Sequence, residues 1–376
     1  MKSLLKIVIP ATLLIMGHNL VAQDNNITLT LPEWITKTTI KGNMRARFED
    51  VEVNNSTSKS RFRGRVRIGA YGDVNSQMDW GFRISSGSDE SATSSNQSFD
   101  DFSSKRKIWM DLGWFGYRPN ELNDLYAAIG KMKKPWKGVS GLVFDGDLNP
   151  EGANIQYAFP AINIQCGYYL MKDNLTGNNP TLDINMLAAQ LDGNITITEN
   201  IKLHTGLAGF LYSNIKDAEV VKSDSDKYLS KGNSVRTITA DDGTATEYWI
   251  NDFQEVDAFA YLNINRGPAP FKIFGEYVIN VAADSSDDDG WKVGLKTKYK
   301  KFHAEYNYRE LGRDAVLGVL ADSDFGGGGT GTKGHTFKFK YDVFKNCALG
   351  FITKQADNYA SQRDVETYQF DIMVNF

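Results

Sequence analysis

The stretch from Arg61 to Gly69 reads Arg-Phe-Arg-Gly-Arg-Val-Arg-Ile-Gly. Its arginines occupy every second position, and Phe62, Val66 and Ile68 stand between them. Successive side chains of a β-strand point to opposite faces, so the arginines share one face and the apolar side chains share the other. The stretch therefore predicts a β-strand with one strongly basic, water-facing side and one apolar side.

The same alternation recurs along the chain from Lys37 onward. Runs of roughly 9 to 14 residues are separated by polar connections that are alternately short and long. Runs of this length and this asymmetry of connections are typical of outer-membrane barrels, so we predict an all-β fold, a transmembrane antiparallel up-and-down β-barrel of about sixteen strands. The runs begin near Lys37, Ser60, Gln77, Lys105, Leu125, Gly152, Ala161, Thr181, Ile201, Phe253, Phe271, Trp291, Phe302, Gly334, Cys347 and Glu366.

The last residues of the sequence favour a barrel over a secreted β-sandwich, the competing all-β fold, whose strands are typically about 5 to 6 residues long. Apolar side chains occupy every second position here, and the sequence stops on a phenylalanine. This ending resembles the terminal signature that the outer-membrane barrel assembly machinery recognises on its substrates. We therefore expect an assembly signal formed by Tyr368, Phe370, Ile372, Val374 and Phe376.

The first 22 residues predict a cleaved signal peptide. Lys2 and Lys6 precede an apolar stretch from Ile7 to Met16, and small residues follow before Gln23. This stretch is shorter than the roughly 20 residues of a membrane-spanning helix, which argues against the alternative of a retained anchor. We expect residues 1–22 to be removed, residues 23–36 to form a short periplasmic segment and residues 37–376 to form the barrel.

The composition argues against several classes of function. The net charge is −4, whereas a nucleic-acid-binding surface is basic, and four histidines leave little material for metal or catalytic sites. The segment Asp145–Pro150 begins like a calcium-binding loop but has proline where that loop needs glycine. We expect no metal, no cofactor and no nucleic-acid partner, and we expect Cys166 and Cys347 to be unpaired because they lie in distant runs.

Alternation also predicts which side chains face the interior of the barrel. An arginine that faces lipid costs about 2 to 4 kcal/mol near the middle of a bilayer, so a ladder of four would cost on the order of 10 kcal/mol. The ladder is therefore expected to face a water-filled lumen. The predicted basic wall consists of Arg45, Arg47, Arg63, Arg65 and Arg67, and Arg83, Lys296, Lys298, Lys338 and Lys340 are also expected to point inward.

The third long connection, residues 137–151, is predicted to supply acidic partners for this wall. It contains the apolar segment Leu142–Phe144, which favours packing into the barrel mouth over exposure to solvent. There Asp145, Asp147 and Glu151 would oppose the arginines across a constriction, because charged side chains set selectivity in channels. An ordinary solvated acidic loop is the alternative.

The glycine-rich stretch from Gly326 to Gly329 does not predict a phosphate-binding loop. In such a loop the lysine follows glycine and precedes serine or threonine, whereas Lys333 follows threonine and precedes glycine. We interpret the stretch as a flexible external loop.

Two other classes of function stay open for a barrel of this kind. An outer-membrane enzyme would need a nucleophile with a base in hydrogen-bond reach, and His204, His303 and His335 stand isolated in the sequence. A loop-mediated adhesin or receptor would use the long connections instead.

Several segments resemble the putative porin family of outer-membrane proteins and, more loosely, the phosphate-selective porins. The resemblance extends over nearly all of the chain after residue 22. It implies a sixteen-stranded barrel, a third loop that folds inward and a homotrimer. The segments that carry it are Gly42–Arg47, Arg61–Gly69, Asp145–Ala153, Asp322–Gly328 and Lys333–His335.

The sequence thus predicts a porin rather than an enzyme: a water-filled channel for passive diffusion of small hydrophilic solutes and ions. The basic excess on the strands predicts a mild anion preference, although the acidic loops act in the opposite direction. The expected location is the outer membrane of a Gram-negative bacterium. The expected partners are outer-membrane lipid and lipopolysaccharide, the barrel assembly machinery, the solutes, and further copies of the chain in a homotrimer.

Overall fold

The computed structural model of this chain describes residues 37–88, 91–100, 102–139, 141–172, 183–220, 222 and 229–376. Sixteen long strands pair antiparallel in sequence order and form one closed barrel. The first strand pairs with the last, with Phe48 opposite Phe370, and this pairing closes the sheet. The predicted barrel is confirmed, whereas the predicted signal peptide and the segment 23–36 lie outside the described residues.

In the part of the chain that the structure describes, the helical content is a single 3-10 turn at Gly318–Leu320. Among the described residues, no helix is long and apolar enough to span a membrane. The strands are β1 (Thr39–Val53), β2 (Lys59–Asp73), β3 (Met78–Ser86), β4 (Gln97–Ser98), β5 (Ile108–Tyr117), β6 (Leu125–Lys131), β7 (Glu151–Ala158), β8 (Ile162–Lys172), β9 (Ile184–Thr198), β10 (Ile201–Ser213), β11 (Val235–Thr239), β12 (Ala245–Trp249), β13 (Gln254–Ile264), β14 (Phe271–Asn280), β15 (Asp289–Tyr299), β16 (Phe302–Leu311), β17 (Thr332–Phe344), β18 (Cys347–Asn358) and β19 (Arg363–Asn375).

Three of these strands are not among the sixteen long strands of the barrel wall. The two-residue β4 pairs with β2, and β11 and β12 form a separate hairpin. The other strands match the sixteen predicted runs, with boundaries shifted by a few residues, as for the run predicted near Lys105, which begins at Ile108. These shifts arise because pairing with a neighbouring strand, rather than local alternation, sets where a strand begins.

Connections at one end of the barrel are short, and most at the other end are long; we call these the short-turn end and the long-loop end. Three long connections are used below: L2 (residues 87–107), L3 (residues 132–150) and L7 (residues 312–331). The predicted alternation of short and long connections is wrong at two places, residues 54–58 and 359–362, which are turns. There β1 pairs with β2 as far as Val51 and Lys59, and β18 pairs with β19 as far as Asn358 and Arg363, so each connection needs only a few residues.

The two faces of the wall differ as the alternation predicts. Phe62 is 62% exposed on the outer face, whereas the neighbouring Arg63 is 8% exposed on the inner face. Met44 and Ile68 are likewise exposed apolar side chains on the outside. Cys166 and Cys347 are both free, as expected.

The interior also contains an apolar core that the alternation did not predict. The inward side chains of β8, β9 and β10 include Tyr169, Met186 and Phe210, which are buried although they face the lumen. They pack against apolar residues of L3, L7 and the connection between β10 and β13. Members of this cluster include Trp136, Leu142, Val143, Phe144, Tyr212, Ile215, Trp249, Phe253, Val316 and Leu320.

Candidate pore constriction

The arginine wall lies where β1 and β2 pair. Arg45 is directly opposite Arg65, and Arg47 is directly opposite Arg63. Residues in such positions have Cβ atoms roughly 4.5 to 5.5 Å apart, and like charges at this separation repel each other. The wall can therefore form only if carboxylates lie among the arginines.

For Arg47 and Arg63 these carboxylates come mainly from the wall itself. Arg47 Nε lies 2.7 Å from Asp371 Oδ1 on β19, and Arg63 Nη1 lies 3.3 Å from Glu49 Oε2 on β1. Asp324 of L7 also contributes, with Oδ2 at 3.2 Å from Arg47 Nη1. These three acidic residues were missed by the sequence reasoning, which looked for partners only in L3.

For Arg65 and Arg67 the partner is the predicted one in L3. Asp147 Oδ1 lies 2.8 Å from Arg67 Nη2, and Asp147 Oδ2 lies 3.8 Å from Arg65 Nη1. Burial acts to raise the pKa of Asp147, but the charges of Arg67, Arg65 and Arg45 outweigh burial and lower it below the ordinary value. This carboxylate therefore remains ionised beside the wall.

Asp145 lines the same cavity as Arg45 but binds a different partner. Its Oδ2 accepts hydrogen bonds from the backbone N–H and the hydroxyl of Ser323, at 3.0 and 3.2 Å, and its own N–H donates to Leu320 O at 2.8 Å. Burial, reinforced by the nearby Asp322, raises the pKa of Asp145 to about 7. Its observed contacts join L3 to L7.

Glu151 lies away from the arginines, in contrast to the expectation. It is the first residue of β7, its side chain is 60% exposed, and its Oε1 lies 2.5 Å from Lys131 Nζ on the neighbouring β6. The reason is register: Asn154 and Gln156 of β7 line the lower cavity, and Glu151 stands at odd spacing from both. It therefore lies at the rim of the outer cavity, where its carboxylate meets Lys131 instead of an arginine.

L3 is fixed to opposite sides of the barrel. On one side the Val139 N–H donates to Glu276 Oε1 on β14 at 2.7 Å, and Arg309 of β16 donates to Gly141 O at 2.6 Å. On the other side Asn149 Nδ2 donates to Asp111 Oδ1 on β5 at 2.7 Å. The apolar segment Leu142–Phe144 is buried in the core, which confirms the prediction that these residues pack.

L7 does not form the flexible external loop that its glycines suggested. Phe325 and Thr330 are fully buried, and Arg309 stacks over the Phe325 ring at 3.8 Å. Gly326 to Gly329 all have positive φ, between 61° and 94°, a region that other residues rarely adopt. The glycines therefore allow a tightly folded backbone to pack against the interior of the barrel.

Asp322 and Asp324 fix the charged side of L7. Asp322 Oδ2 lies 3.3 Å from Arg309 Nη1, and Asp324 Oδ2 lies 3.8 Å from Lys354 Nζ. Burial opposes ionisation of both carboxyls, but Lys354 and the neighbouring arginines outweigh it and lower both pKa values. Alternation could not find these residues because they lie in a connection rather than in a strand.

A layer of ion pairs separates two large cavities beside the arginine wall. The outer cavity, at the long-loop end, has a volume of about 880 Å³ and includes Asp111 and Asp147 in its lining. The lower cavity, at the short-turn end, has a volume of about 510 Å³ and includes Arg67 and Arg83. Arg83 Nε lies 2.5 Å from Asp111 Oδ2, so the carboxylates of the outer cavity pair with the arginines of the lower one. Asp111 is a further residue that the sequence reasoning missed.

The described residues contain no group of three or more histidine, cysteine or acidic side chains arranged to hold a metal ion. The carboxylates of the interior are instead paired mostly with arginine and lysine. The arrangement can therefore select solutes by charge and size.

Solved structures of other proteins share this fold, among them the following two. The high-pH structure of OprB from Pseudomonas putida superimposes with a TM-score of 0.61 at 11% identity, over 91% of this chain and 95% of that one. A triple mutant of the porin from Rhodopseudomonas blastica superimposes with a TM-score of 0.51 at 10% identity, over 90% of this chain and 100% of that one. At such low identities these likenesses establish the barrel fold alone.

The sequence itself matches a family. No curated protein sequence shows a significant match to the chain. The model of the family described as "Putative porin", however, matches residues 49–287 and 285–376, which together contain nearly the whole barrel. This chain belongs to the putative porin family.

Proposed function

We propose that this protein is an outer-membrane porin through which small hydrophilic solutes and ions diffuse passively. The observation that carries the proposal is a closed barrel with an apolar outer face and a charged interior. Cavities of about 880 and 510 Å³ lie at the two ends of the charged side of that interior. Ligand-accessible space of this kind inside a membrane barrel is the basis of a diffusion pore.

The constriction lies between the arginine wall and the acidic residues of L3. In this proposal Arg45, Arg47, Arg63, Arg65 and Arg67 form the basic side, and Asp145 and Asp147 belong to the facing acidic side. Glu151 is left out because its carboxylate pairs with Lys131. We further propose a mild anion preference, which the abundance of cationic side chains in the lower cavity supports.

The surroundings of the barrel follow from the same proposal. The long loops face the exterior of a Gram-negative cell and contact lipopolysaccharide, and the short turns face the periplasm. Tyr368, Phe370, Ile372, Val374 and Phe376 form the signal for the barrel assembly machinery; the last four are exposed on the lipid-facing side. Three copies assemble into a homotrimer.

The test is conductance across a planar bilayer with a potassium chloride gradient. Folded protein is expected to produce discrete current steps, and the sign of the reversal potential reports the charge preference. The double variant Arg65→Glu and Arg67→Glu is expected to shift the reversal potential toward cations, because it reverses two charges beside the constriction. Arg236→Glu, in the β11–β12 hairpin, is the matched control.

Two results would contradict the proposal in different ways. Folded protein without current steps would rule out a pore and favour a loop-mediated function. Current steps with an unchanged reversal potential in the double variant would remove the arginine ladder from the constriction while keeping the pore.

A further inference from the structure

The lower cavity has the size of a small-molecule site. It is bounded by the inward faces of β1 to β3 and β5 to β7 and by the first residues of L3. Its volume of about 510 Å³ lies within the range of roughly 300 to 1,000 Å³ that is usual for ligand pockets. Its lining combines charged and apolar side chains, which raises the question of what it could hold.

The charge of this lining is entirely positive. Lys41, Arg67, Arg83 and Lys133 line the cavity, and none of its described lining residues is acidic. The carboxylates that pair with Arg67 and Arg83 lie on the side of the outer cavity. Lys41 and Lys133 have no ion-pair partner within the part of the chain that the structure describes. The cavity therefore has positive charge that a bound anion would balance.

Burial and this positive charge act together on Lys133. It lies in L3, and its pKa is lowered by burial and by the positive charges of Arg83, Arg67 and Lys41. Asp111 offsets these effects only in part. A lysine pKa falls in this way when its surroundings disfavour one more positive charge, and a negative ligand would reverse the effect.

The same cavity has three aromatic walls, formed by Tyr71, Trp114 and Tyr126. Two of these rings, Trp114 and Tyr71, lie over glycines of the barrel wall, which have no side chain. A Cβ at Gly81 would lie 2.6 Å from Trp114 Nε1, and a Cβ at Gly69 would lie 2.7 Å from the Tyr71 hydroxyl. Glycine at both positions thus allows the rings to pack along the wall and line the cavity.

We propose that the lower cavity binds a small organic anion, a carboxylate attached to a ring or another apolar body, during its passage through the barrel. The inference rests on the proposed pore and names a class of solute for it. The lysines and arginines of the cavity bind the carboxylate, and the aromatic side chains stack against the apolar body and bury it. An inorganic anion would make no contact with the aromatic rings, and a neutral ring compound would not balance the positive charge of the lysines.

Binding can be measured independently of conductance, by titrating ligand into the full chain folded in lipid nanodiscs. Benzoate is the probe, acetate and benzyl alcohol are the comparison ligands, and empty nanodiscs supply the background in each titration. Benzoate is expected to bind about tenfold more tightly than acetate, because its ring makes aromatic contacts that acetate lacks. It is also expected to bind more tightly than benzyl alcohol, which lacks the charge.

Variants separate the two halves of the site. The double variant Lys41→Gln and Lys133→Gln is expected to weaken benzoate binding by about tenfold or more. The attraction between two opposite charges about 4 Å apart in water changes a dissociation constant by about fivefold, and the variant removes two positive charges. Trp114→Leu is expected to reduce the preference for benzoate over acetate. The control is Lys298→Gln with Lys340→Gln, which removes the same charge from inward lysines near Asp342 on another part of the wall.

The outcomes distinguish this inference from the pore itself. Equal binding of benzoate and acetate, or an equal loss of binding in the control pair, would overturn the organic-anion site. Current steps without any benzoate binding would keep the pore and overturn the site. Benzoate binding without current steps would support the site and overturn the pore.

Discussion

The two sides of the barrel interior are filled in different ways. The side lined by β8 to β10, together with L3 and L7, contains an apolar core that includes Phe144, Met186 and Phe210. The side lined by β1, β2 and β19 contains ion pairs such as Arg47 with Asp371 and cavities at both ends. A barrel of this width is therefore open to water over only part of its cross-section.

The difference shows how loops convert a wide barrel into a narrow passage. Apolar side chains exclude water when they pack together, so the core that L3 and L7 complete closes part of the interior. Charged side chains keep water and counter-ions beside them, so the other side is the route for ions in the pore that we propose. A cavity of about 620 Å³ also lies at the short-turn end of this side. Its lining includes the charged Lys137, Asp257 and Glu276 beside the apolar Val143, Phe144 and Phe210, so the apolar core closes this side only above the cavity.

The largest expected effect comes from opening the apolar side. The double variant Phe144→Ala and Phe210→Ala removes two rings whose centroids lie 4.8 Å apart. Each such truncation costs about 3 to 5 kcal/mol in free energy of unfolding, because it leaves a cavity in a packed core. We expect a lower urea midpoint in lipid vesicles and a larger single-channel conductance, since water gains a second route.

A matched control uses an aromatic ring on the other face. Phe115 is exposed on the outside of β5, so Phe115→Ala is expected to leave the conductance unchanged. Unchanged conductance in the double variant, with its stability clearly reduced, would show that the apolar core does not limit the passage.

An effect of intermediate size is expected from pH, through the junction of L3 and L7. The pKa of Asp145 is about 7, against an ordinary value of 3.8, so the folded protein holds this proton more tightly than the unfolded chain. Its contribution to stability is fully present below about pH 4 and is lost as the pH rises toward 7. Between pH 5 and pH 7.5 the loss is roughly 2 kcal/mol, to be measured by urea unfolding at both values.

Asp145→Asn is the variant that isolates this group. It keeps a side-chain oxygen for Ser323 but cannot ionise, so its stability is expected to depend less on pH over this range. Asp147, Asp322 and Asp324 have lowered pKa values, and their contributions are lost only in more acidic solution. An equal pH dependence in the wild type and in Asp145→Asn would refute the assignment.

The smallest effect is expected from Glu151→Gln. The carboxylate is largely exposed and pairs with Lys131, and exposed pairs contribute about 0 to 1 kcal/mol. Neither the urea midpoint nor the reversal potential is expected to change measurably, whereas Asp147→Asn is expected to shift the reversal potential toward anions. A shift in Glu151→Gln as large as that of Asp147→Asn would restore Glu151 to the constriction.

The strands and their faces could be predicted because alternation is a local property. Arg63 and Phe62 are neighbours in sequence, and their opposite faces follow from the geometry of a single strand. The partner of Arg47 could not be predicted in this way. Asp371 reaches it only because β1 pairs with β19, with Arg47 directly opposite Asp371 in that register, and Asp324 reaches it only because L7 folds inward.

The sequence by itself determined the number of strands, the side of each strand that meets lipid, and the basic character of one wall. Only the tertiary structure decided that L7 packs inside, that Glu151 lies apart from the wall, and that an apolar core occupies part of the lumen. The physical reason is how far apart in the sequence the interacting residues are. A period of two is set by the backbone of each strand alone, whereas ion pairing and core packing depend on which distant segments meet.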